Sequence, residues 1–314
     1  MKRILVTGAS GFIGRALVAH LAEHGYAVRA ASRKTVAAAI GIEPAKLPDL
    51  AGNVDWAPLL DGVDAIVHAA AIAHTERLDE RAQRLVNHRA VATLAGAARG
   101  RVERLVFLSS IRAQSGPCAA GTLTEADEAL PSDAYGRAKL SAEEALIHSG
   151  VPFVILRPVL VAGPRPSGNL AALLRLARLK LPLPMGGLKA RRSLVDREDL
   201  CAAIAHVVGE PTHLGKTYIV AHPEPIEVGA MLAALREGLN RRPDLFAVPD
   251  SLTRFALALP GMGEMRTKLL GDLVVSPAKL MTTGWEPGFT PRIALMRVAA
   301  ADVRRSFPIS AEAR

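Results

Sequence analysis

The chain has 314 residues, of which half are hydrophobic and 22% are charged, and its formal net charge is +9. This composition provides a core for one large or two modest domains and excludes a generally disordered chain. Aromatic residues make up only 4% of the chain and no long run of lysine and arginine occurs, so nucleic acid is not an expected partner.

The sequence also argues against a membrane-spanning or disulfide-rich protein. The most apolar stretch, residues 170–185, contains three basic residues, which make a bilayer crossing costly in free energy. The two cysteines, Cys118 and Cys201, form neither a disulfide framework nor a Cys-x-x-Cys metal motif. We therefore expect a cytoplasmic protein with no membrane partner.

Short β-branched runs alternate with alanine-rich amphipathic segments over the first 160 residues, which predicts βαβ units in a parallel sheet. Strands are predicted at residues 3–7, 27–31, 65–68, 104–109 and 153–157. Helices are predicted at residues 12–23, 85–98 and 133–149, the last with Ser132 as its N-cap and Gly150 as its end. Proline and glycine then interrupt the pattern before a helix at 199–208 and a strand at 216–220. The predicted fold class is α/β, with a Rossmann-type doubly wound parallel sheet and a smaller C-terminal lobe.

A glycine-rich turn joins the first predicted strand to the first predicted helix. Residues 7–14 read Thr-Gly-Ala-Ser-Gly-Phe-Ile-Gly, a spacing that allows a tight turn, the close approach of a pyrophosphate and close helix–strand packing. The helix N-terminus presents N–H groups and the positive end of its dipole to phosphates. A merely structural turn is the alternative. The pattern predicts a dinucleotide site formed by Gly8, Ser10, Gly11, Phe12, Ile13 and Gly14.

The end of the second predicted strand indicates which dinucleotide binds. An NAD site usually has Asp or Glu there, about 20 residues after the glycines, to hold the ribose 2′-hydroxyl. Here the positions are Ser32, Arg33 and Lys34, and no acidic residue occurs between Glu23 and Glu43. A guanidinium binds a 2′-phosphate that a carboxylate would repel. We therefore expect NADP(H), with NAD(H) possible, unless Arg33 is only a solvated loop residue. Further cofactor contacts are predicted at Asp49 and Leu50, beside the adenine, and at Ala69.

Tyr135 and Lys139 are four residues apart on a predicted helix, so their side chains share one face. A neighbouring ammonium is expected to lower the pKa of the tyrosine, which can then exchange a proton with a carbinol oxygen while hydride moves at the same carbon. Ser110 follows a predicted strand of the parallel sheet, where chemistry gathers at the carboxyl ends, and can hydrogen-bond the substrate oxygen. Its neighbour Ser109 is interpreted as structural.

These motifs together make the chain similar to the extended short-chain dehydrogenases/reductases, in their nucleotide-sugar epimerase/dehydratase group. The resemblance extends over most of the chain. It rests on the glycine-rich turn, residues 105–110, the Tyr135/Lys139 pair, residues 156–158 and residues 191–195.

The resemblance implies roles for individual residues. It makes Ser110, Tyr135 and Lys139 the catalytic set. Asn87 matches an asparagine beside them, which is expected to contact the cofactor. Asn169 and Arg192 match residues that hold the diphosphate of a sugar nucleotide. Together with Ser110, they are the expected substrate contacts. Two adjacent arginines suit a diphosphate, although a surface pair of arginines is the alternative.

The chain also departs from the family pattern. The usual glycine and threonine after the asparagine are Ala90 and Val91, and the usual tyrosine after the Arg-Pro pair is Ala162. Dehydratases of the group place acidic residues directly after the strand-end hydroxyl residue, where this chain has Ile111 and Arg112. Neither side chain can act as that acid or base, so dehydratase chemistry is not expected.

The resemblance is greatest to reductases of the UDP-N-acetylquinovosamine dehydrogenase type, which implies an NADP-dependent enzyme acting at C4 of a UDP-linked 4-keto-6-deoxy-N-acetylhexosamine for lipopolysaccharide and other polysaccharide precursors. A UDP-sugar 4-epimerase with tightly held NAD(P) and a non-catalytic NADP-binding subunit are the alternatives. We assign residues 1–165 to a dinucleotide-binding domain, with segments of about 191–221 returning to it. Residues 166–190 and 222–314 form the substrate-binding lobe. The family suggests a homodimer, and no metal is expected, because His68, His74 and His88 match no standard zinc spacing.

Overall fold

A computed structural model describes residues 1–72, 80–249, 251–252 and 263–306. The strands are β1 Arg3–Thr7, β2 Ala27–Ser32, β3 Ile42–Lys46, β4 Ala65–His68, β5 Arg104–Leu108, β6 Thr122–Leu123, β7 Phe153–Pro158, β8 Leu160–Ala162, β9 Arg191–Arg192, β10 Leu194–Asp196, β11 Lys216–Val220, β12 Ile226–Glu227 and β13 Val274–Val275. The helices are α1 Gly14–Glu23, α2 Ala57–Leu60, α3 Glu80–Gln83, α4 Ala90–Ala98, α5 Ala134–His148, α6 Gly168–Ala177, α7 Arg197–Gly209, α8 Val228–Gly238, α9 Gly263–Leu270, α10 Ala278–Met281 and α11 Pro291–Ser306. A π-helical segment, Arg84–Arg89, joins α3 to α4.

Seven parallel strands form the central sheet in the order β11-β7-β5-β4-β1-β2-β3. From β1 the chain builds outward through β2 and β3 on one side, and through β4, β5, β7 and β11 on the other. The strand order therefore reverses between β1 and β4, and in such sheets ligands bind beyond the carboxyl ends of the strands at this switch point. The predicted doubly wound α/β fold is confirmed.

Both faces of the sheet are covered, which explains why the inner strands are continuous apolar runs rather than alternating ones. On one face, α1 and α7 pack with Leu17, Leu21, Ile204 and Val207 in the core. On the opposite face, α4 and α5 contribute buried residues that include Leu94. The sheet is thus packed between two helical layers, which fix the positions of the loops at its carboxyl edge.

The C-terminal half adds a second, smaller core. Helices α6, α8 and α11 pack around it, and its buried residues include Leu174, Leu232 and Leu295. The β8–β10 pair contributes Ala162 and Leu194 to this core directly after β7 leaves the central sheet. Three separate segments of the chain therefore build the lobe next to the last strands of the sheet.

Most of the predicted strands and helices are found, with differences at particular positions. Asp133 and not Ser132 caps α5, because its Oδ1 accepts a 2.7 Å hydrogen bond from the Gly136 N–H. The predicted helix 85–98 begins as the π-helical segment. Of the segment 191–221, only β11 joins the central sheet, since β9 pairs with β12 and β10 with β8.

No helix of the described residues is both long and apolar enough to cross a membrane.

Candidate active site

The glycine-rich turn lies at the switch point of the sheet. Gly8 has a φ of +74°, and a Cβ placed there would lie 2.8 Å from the backbone of Ala70, which follows β4. A Cβ on Gly14 would lie 2.1 Å from the carbonyl oxygen of Gly8. Side chains at these positions would close the turn, so glycine is required for its shape.

The same turn fits the pyrophosphate of a dinucleotide. Helix α1 begins without a side-chain cap at Ile13 and has no acidic residue in its first turn. Its N-terminal N–H groups and the positive end of its dipole therefore remain available for an anion. The structure places Phe12 and Gly11 at this helix start, so these members of the predicted set share one site.

The end of β2 presents hydroxyl groups and cations to the turn. Ser32 donates a 2.5 Å hydrogen bond from its Oγ to Ser10 Oγ, and its Oγ accepts one from the Lys34 N–H at 3.2 Å. Arg33 is exposed beside them. Arg15, which the sequence did not single out, donates from Nη2 to the Ser10 carbonyl at 3.2 Å. The predicted Ser10, Ser32 and Arg33 are therefore brought together at one corner of the turn.

The other predicted cofactor contacts lie on neighbouring loops. Ala69 directly follows β4, and its N–H bonds the Thr7 carbonyl at 3.3 Å. Asp49 is exposed after β3, where its Oδ1 accepts from the Ala51 N–H, whereas Leu50 is buried in the core. Because its side chain packs inward, Leu50 offers a ligand at most its backbone.

Asn87 lies in the π-helical segment and is fully buried. Its Oδ1 accepts a 2.9 Å hydrogen bond from the Ile72 N–H, its Nδ2 donates to the Ile72 carbonyl at 3.1 Å, and Nδ2 also bonds Gln83. The amide thus holds the backbone that follows β4. Asn87 therefore fixes the backbone conformation of the segment that follows Ala69.

Ser110 and Tyr135 meet at the carboxyl end of β5. Ser110 has an extended backbone and is the N-cap of a short 3₁₀ helix, Ile111–Ala113. Its Oγ accepts a 3.2 Å hydrogen bond from the Arg112 N–H. Its side chain also shares a hydrogen bond with the Tyr135 phenol. Loss of water around the phenol raises the pKa of Tyr135 to about 12, and the bond with Ser110 offsets only part of this effect.

Lys139 is buried one helical turn after Tyr135 on α5. Its Nζ donates to the Leu108 carbonyl at 2.8 Å and lies 4.6 Å from the Phe107 ring centroid and 6.0 Å from that of Tyr135. Burial lowers the pKa of Lys139 to about 7, while Glu143 raises it. The prediction that an ammonium lowers the tyrosine pKa is therefore wrong for this arrangement, because burial raises that pKa and Lys139 bonds a backbone carbonyl instead.

A buried polar network that the sequence analysis missed lies beneath this pair. Glu143, four residues after Lys139, bonds the Arg157 guanidinium at 2.5 Å and accepts from Ser109 Oγ. Arg157 Nη1 also donates to Gln114 Oε1 at 3.0 Å. Ser109 thus faces the interior, whereas Ser110 faces Tyr135. The spacing Tyr135–Lys139–Glu143 along one helix face was the available signal for Glu143.

The position where dehydratases carry an acid has a different function here. Arg112 forms an ion pair with Asp133, the residue that caps α5. Ile111 is buried in the core. Both residues therefore position the start of the helix that carries Tyr135, and neither provides a carboxyl group.

The two predicted diphosphate contacts lie on different elements, Arg192 on β9 and Asn169 on α6. Arg192 donates from Nη1 to the Pro117 carbonyl at 2.6 Å and from Nη2 to the Thr267 carbonyl at 3.0 Å. Burial lowers its pKa, with opposing contributions from Cys118 and Asp272. Asn169 is exposed in the first turn of α6. Arg192 thus joins the loop after β5 to α9, and its role toward a diphosphate stays a prediction.

The histidines show no metal centre in the part of the chain that is described. No group of three or more His, Cys, Asp or Glu side chains there is arranged to hold an ion. His68 is buried, its Nδ1 lies 3.0 Å from Thr7 Oγ1, and burial followed by the charge of Lys139 lowers its pKa to about 3. It is therefore a neutral core residue at the end of β4. His74 lies outside the described residues.

Residues 4–221 match the family model described as the NAD dependent epimerase/dehydratase family. The chain belongs to this family. The predicted kinship with extended short-chain dehydrogenases/reductases is confirmed. The chain is accordingly a pyridine-nucleotide-dependent enzyme, an oxidoreductase or a 4-epimerase, as the sequence predicted.

Individual relatives of this family member were also found. A UDP-glucose 4-epimerase from Vibrio cholerae is 29% identical and aligns over 96% of this chain and 95% of that protein. A UDP-2-acetamido-2,6-beta-L-arabino-hexul-4-ose reductase from Pseudomonas aeruginosa is 29% identical over 80% of this chain and 62% of that protein. Among solved structures, UDP-glucuronic acid 4-epimerase from Bacillus cereus in complex with NAD superposes with a TM-score of 0.76 at 18% identity, covering 99% of both chains. This last likeness supports the fold alone.

Proposed function

We propose that this family member is an NADP-dependent reductase acting at C4 of a UDP-linked 4-keto-6-deoxy-N-acetylhexosamine. The observation that carries the proposal is the meeting of Ser110 and Tyr135 at the carboxyl edge of the sheet, with Lys139 one turn below them. The Pseudomonas aeruginosa relative supports the substrate class, since its name describes the reduction of a UDP-linked 4-ketosugar. Ile111 and Arg112 occupy the positions where dehydratases carry acidic residues, and Arg112 is paired with Asp133, which favours reduction over dehydration.

In this mechanism the residues of the chain manage the proton and the charge. A dinucleotide held by the glycine-rich turn, residues 7–14, would supply the hydride for the 4-keto carbon. Tyr135 carries its proton at neutral pH because its pKa is about 12, so it donates the phenolic proton to the developing alkoxide. Ser110 hydrogen-bonds the same oxygen and orients it. Lys139 holds the turn of α5 below the phenol through its bond to the Leu108 carbonyl, and water reprotonates the tyrosinate left behind.

The cofactor preference rests on the corner formed by Ser10, Ser32 and Arg33. Two hydroxyl groups and a guanidinium, with Lys34 beside them, suit a 2′-phosphate. We expect Arg33→Ala to weaken NADPH binding by roughly 10- to 100-fold and NADH binding by less than about twofold. Calorimetric titration with each nucleotide measures this difference. Arg101→Ala, which removes an exposed arginine before β5, is the matched control, and equal losses for both nucleotides contradict the 2′-phosphate role.

The second candidate is a UDP-sugar 4-epimerase. The full-length alignment with the Vibrio cholerae UDP-glucose 4-epimerase favours it. An epimerase uses the same three residues but returns the hydride to the sugar, so the cofactor shows no net oxidation.

One experiment separates the two candidates. Purified protein is incubated with UDP-N-acetylglucosamine in one reaction and with its 4-keto-6-deoxy derivative plus NADPH in another. Reduction consumes one NADPH per ketosugar, seen as a loss of absorbance, and yields a 4-hydroxy product. Inversion at C4 of UDP-N-acetylglucosamine without net oxidation or reduction of the sugar supports the epimerase instead. Turnover of neither sugar contradicts the reductase and an epimerase specific for N-acetylated sugars.

A further inference from the structure

Arg197, the first residue of α7, contacts the glycine-rich turn from the far half of the chain. Its guanidinium carbon lies 5.3 Å from the centroid of the Phe12 ring, and its Nη1 donates a 3.4 Å hydrogen bond to the Phe12 carbonyl. Gly163 packs against both the Arg197 stem and the Phe12 ring, with no room for a side chain. The turn that holds a pyrophosphate therefore has a cation fixed against it.

No carboxylate of the described residues forms an ion pair with Arg197. The flanking carboxylates of Asp196 and Glu198 pair instead with Arg297, at 3.3 Å and 2.6 Å. None of the ion pairs found among the described residues includes Arg197. Its Nε is buried and has no hydrogen-bond partner there. A buried guanidinium N–H without an acceptor is unfavourable unless a ligand satisfies it.

We propose that Arg197 is a further dinucleotide-binding residue, which donates charge-assisted hydrogen bonds to the pyrophosphate seated on the glycine-rich turn. The contact with the Phe12 carbonyl places the guanidinium within one residue of the helix start that receives the anion. An arginine with unused N–H groups is suited to bind phosphate oxygens in a bidentate manner. The stacking on Phe12 holds the planar group in place before the ligand arrives.

This role differs in its specificity from that of Arg33. The pyrophosphate is common to NAD and NADP, so the loss of Arg197 should weaken both dinucleotides by the same factor. Arg33 stands at the adenosine end and should act on NADPH alone. The inference depends on dinucleotide binding, which the family establishes, and is independent of the sugar that the enzyme uses.

The test is the dissociation constant of NADH and of NADPH, measured by calorimetry on the full chain. Arg197→Met keeps an apolar stem against Phe12 but removes the charge, and we expect it to weaken both nucleotides on the order of 10- to 100-fold. Arg197→Lys keeps the charge without the fork and should lose less. The affinity of Arg197→Met for both nucleotides should also depend less steeply on salt concentration, because one phosphate contact is gone.

Arg101→Met controls for the loss of one positive charge at the opposite, amino-terminal edge of the sheet. Binding of both nucleotides by Arg197→Met within about twofold of the parent overturns the proposal, since the side chain would then serve only to pack on Phe12. A loss confined to NADPH also overturns it. The far-ultraviolet circular dichroism and melting curve of each variant identify a folding defect. If Arg197→Met misfolds, the dissociation constants of Arg197→Lys for NADH and NADPH are compared with those of the parent instead.

Discussion

At the scale of single residues, Tyr135 carries the proposed chemistry because it keeps its proton throughout the neutral range. Tyr135→Phe removes the donor but retains the ring. We expect turnover to fall by about 10²- to 10⁴-fold, with nucleotide affinity unchanged. Steady-state kinetics and calorimetry measure the two effects separately. Tyr26→Phe, at a phenol before β2, is the control, and unchanged turnover in Tyr135→Phe would show that Tyr135 is not the proton donor.

Lys139 gives the nucleotide-free protein a specific dependence on pH. Its pKa is about 7 in the folded state, against 10.5 for a free lysine, so between these values the unfolded chain binds more protons than the folded one. The free energy of unfolding must therefore rise with pH from about 7 to about 10 through this group. Lys139→Met lacks this contribution, and its profile should differ from the parent's by a few kcal/mol over that interval.

Urea denaturation at pH 6, 8 and 9.5 measures the profile of each protein. Lys180→Met, which removes an exposed lysine, controls for the change in net charge. Parallel profiles for the parent and Lys139→Met would show that the buried amine stays charged in the folded protein.

At the scale of elements, α5 carries two ion pairs of different kinds. Glu143 and Arg157 are paired in the interior, whereas Arg137 and Glu80 are about half exposed, at 51% and 57% of their side-chain surface. Removing one partner of a buried pair leaves the other charge in a medium of low polarity, while an exposed charge is solvated by water.

We therefore expect Glu143→Gln to lower the free energy of unfolding by about 3–5 kcal/mol. Glu80→Gln, the matched control, should lower it by less than about 1 kcal/mol. Urea denaturation curves at neutral pH give both values. Similar effects for the two variants would mean that water reaches the Glu143–Arg157 pair.

The strands of the sheet were predictable where burial on both faces requires a continuous run of apolar residues, as in residues 4–6 and 65–67. Strand β3 was missed because its sequence, Ile-Glu-Pro-Ala-Lys, has a proline and two charges, which an edge strand tolerates and an inner strand does not. The cap of α5 was misplaced by one residue, since Ser132 and Asp133 are both suitable caps and only the bond to Gly136 distinguishes them.

The site was predictable where residues follow strands or share a helix face. The positions of Gly8, Ser32, Ser110 and Tyr135 followed from such local patterns. The contact of Arg197 with Phe12 joins residues 185 apart, and no local pattern encodes it. The pKa of Tyr135 was also unpredictable, because it depends on how much water the folded chain excludes.

At the scale of the whole molecule, Asp199 joins the helical layer of the sheet to the C-terminal segment. Its carboxylate accepts hydrogen bonds from the N–H groups of Gly288 at 2.9 Å and Phe289 at 3.1 Å, about 90 residues away. Asp199→Ala leaves both donors without this acceptor, and we expect the free energy of unfolding to fall by about 2 kcal/mol. Asp199→Asn keeps one oxygen and should lose less. Chemical denaturation compares the three proteins, and equal stability of Asp199→Ala and the parent would show that water replaces the carboxylate.

The discontinuous construction of the lobe has a consequence for biosynthesis. Six of the seven strands of the central sheet have been translated by Pro158, but the second core needs α6, α8 and finally α11, with Leu295 and Val298. Ribosomes add about 5–20 residues per second, and domains fold in the order of their emergence. The nascent chain therefore exposes the unmatched apolar faces of α6 and α8 for several seconds, and this is the interval in which a holdase chaperone has most to protect.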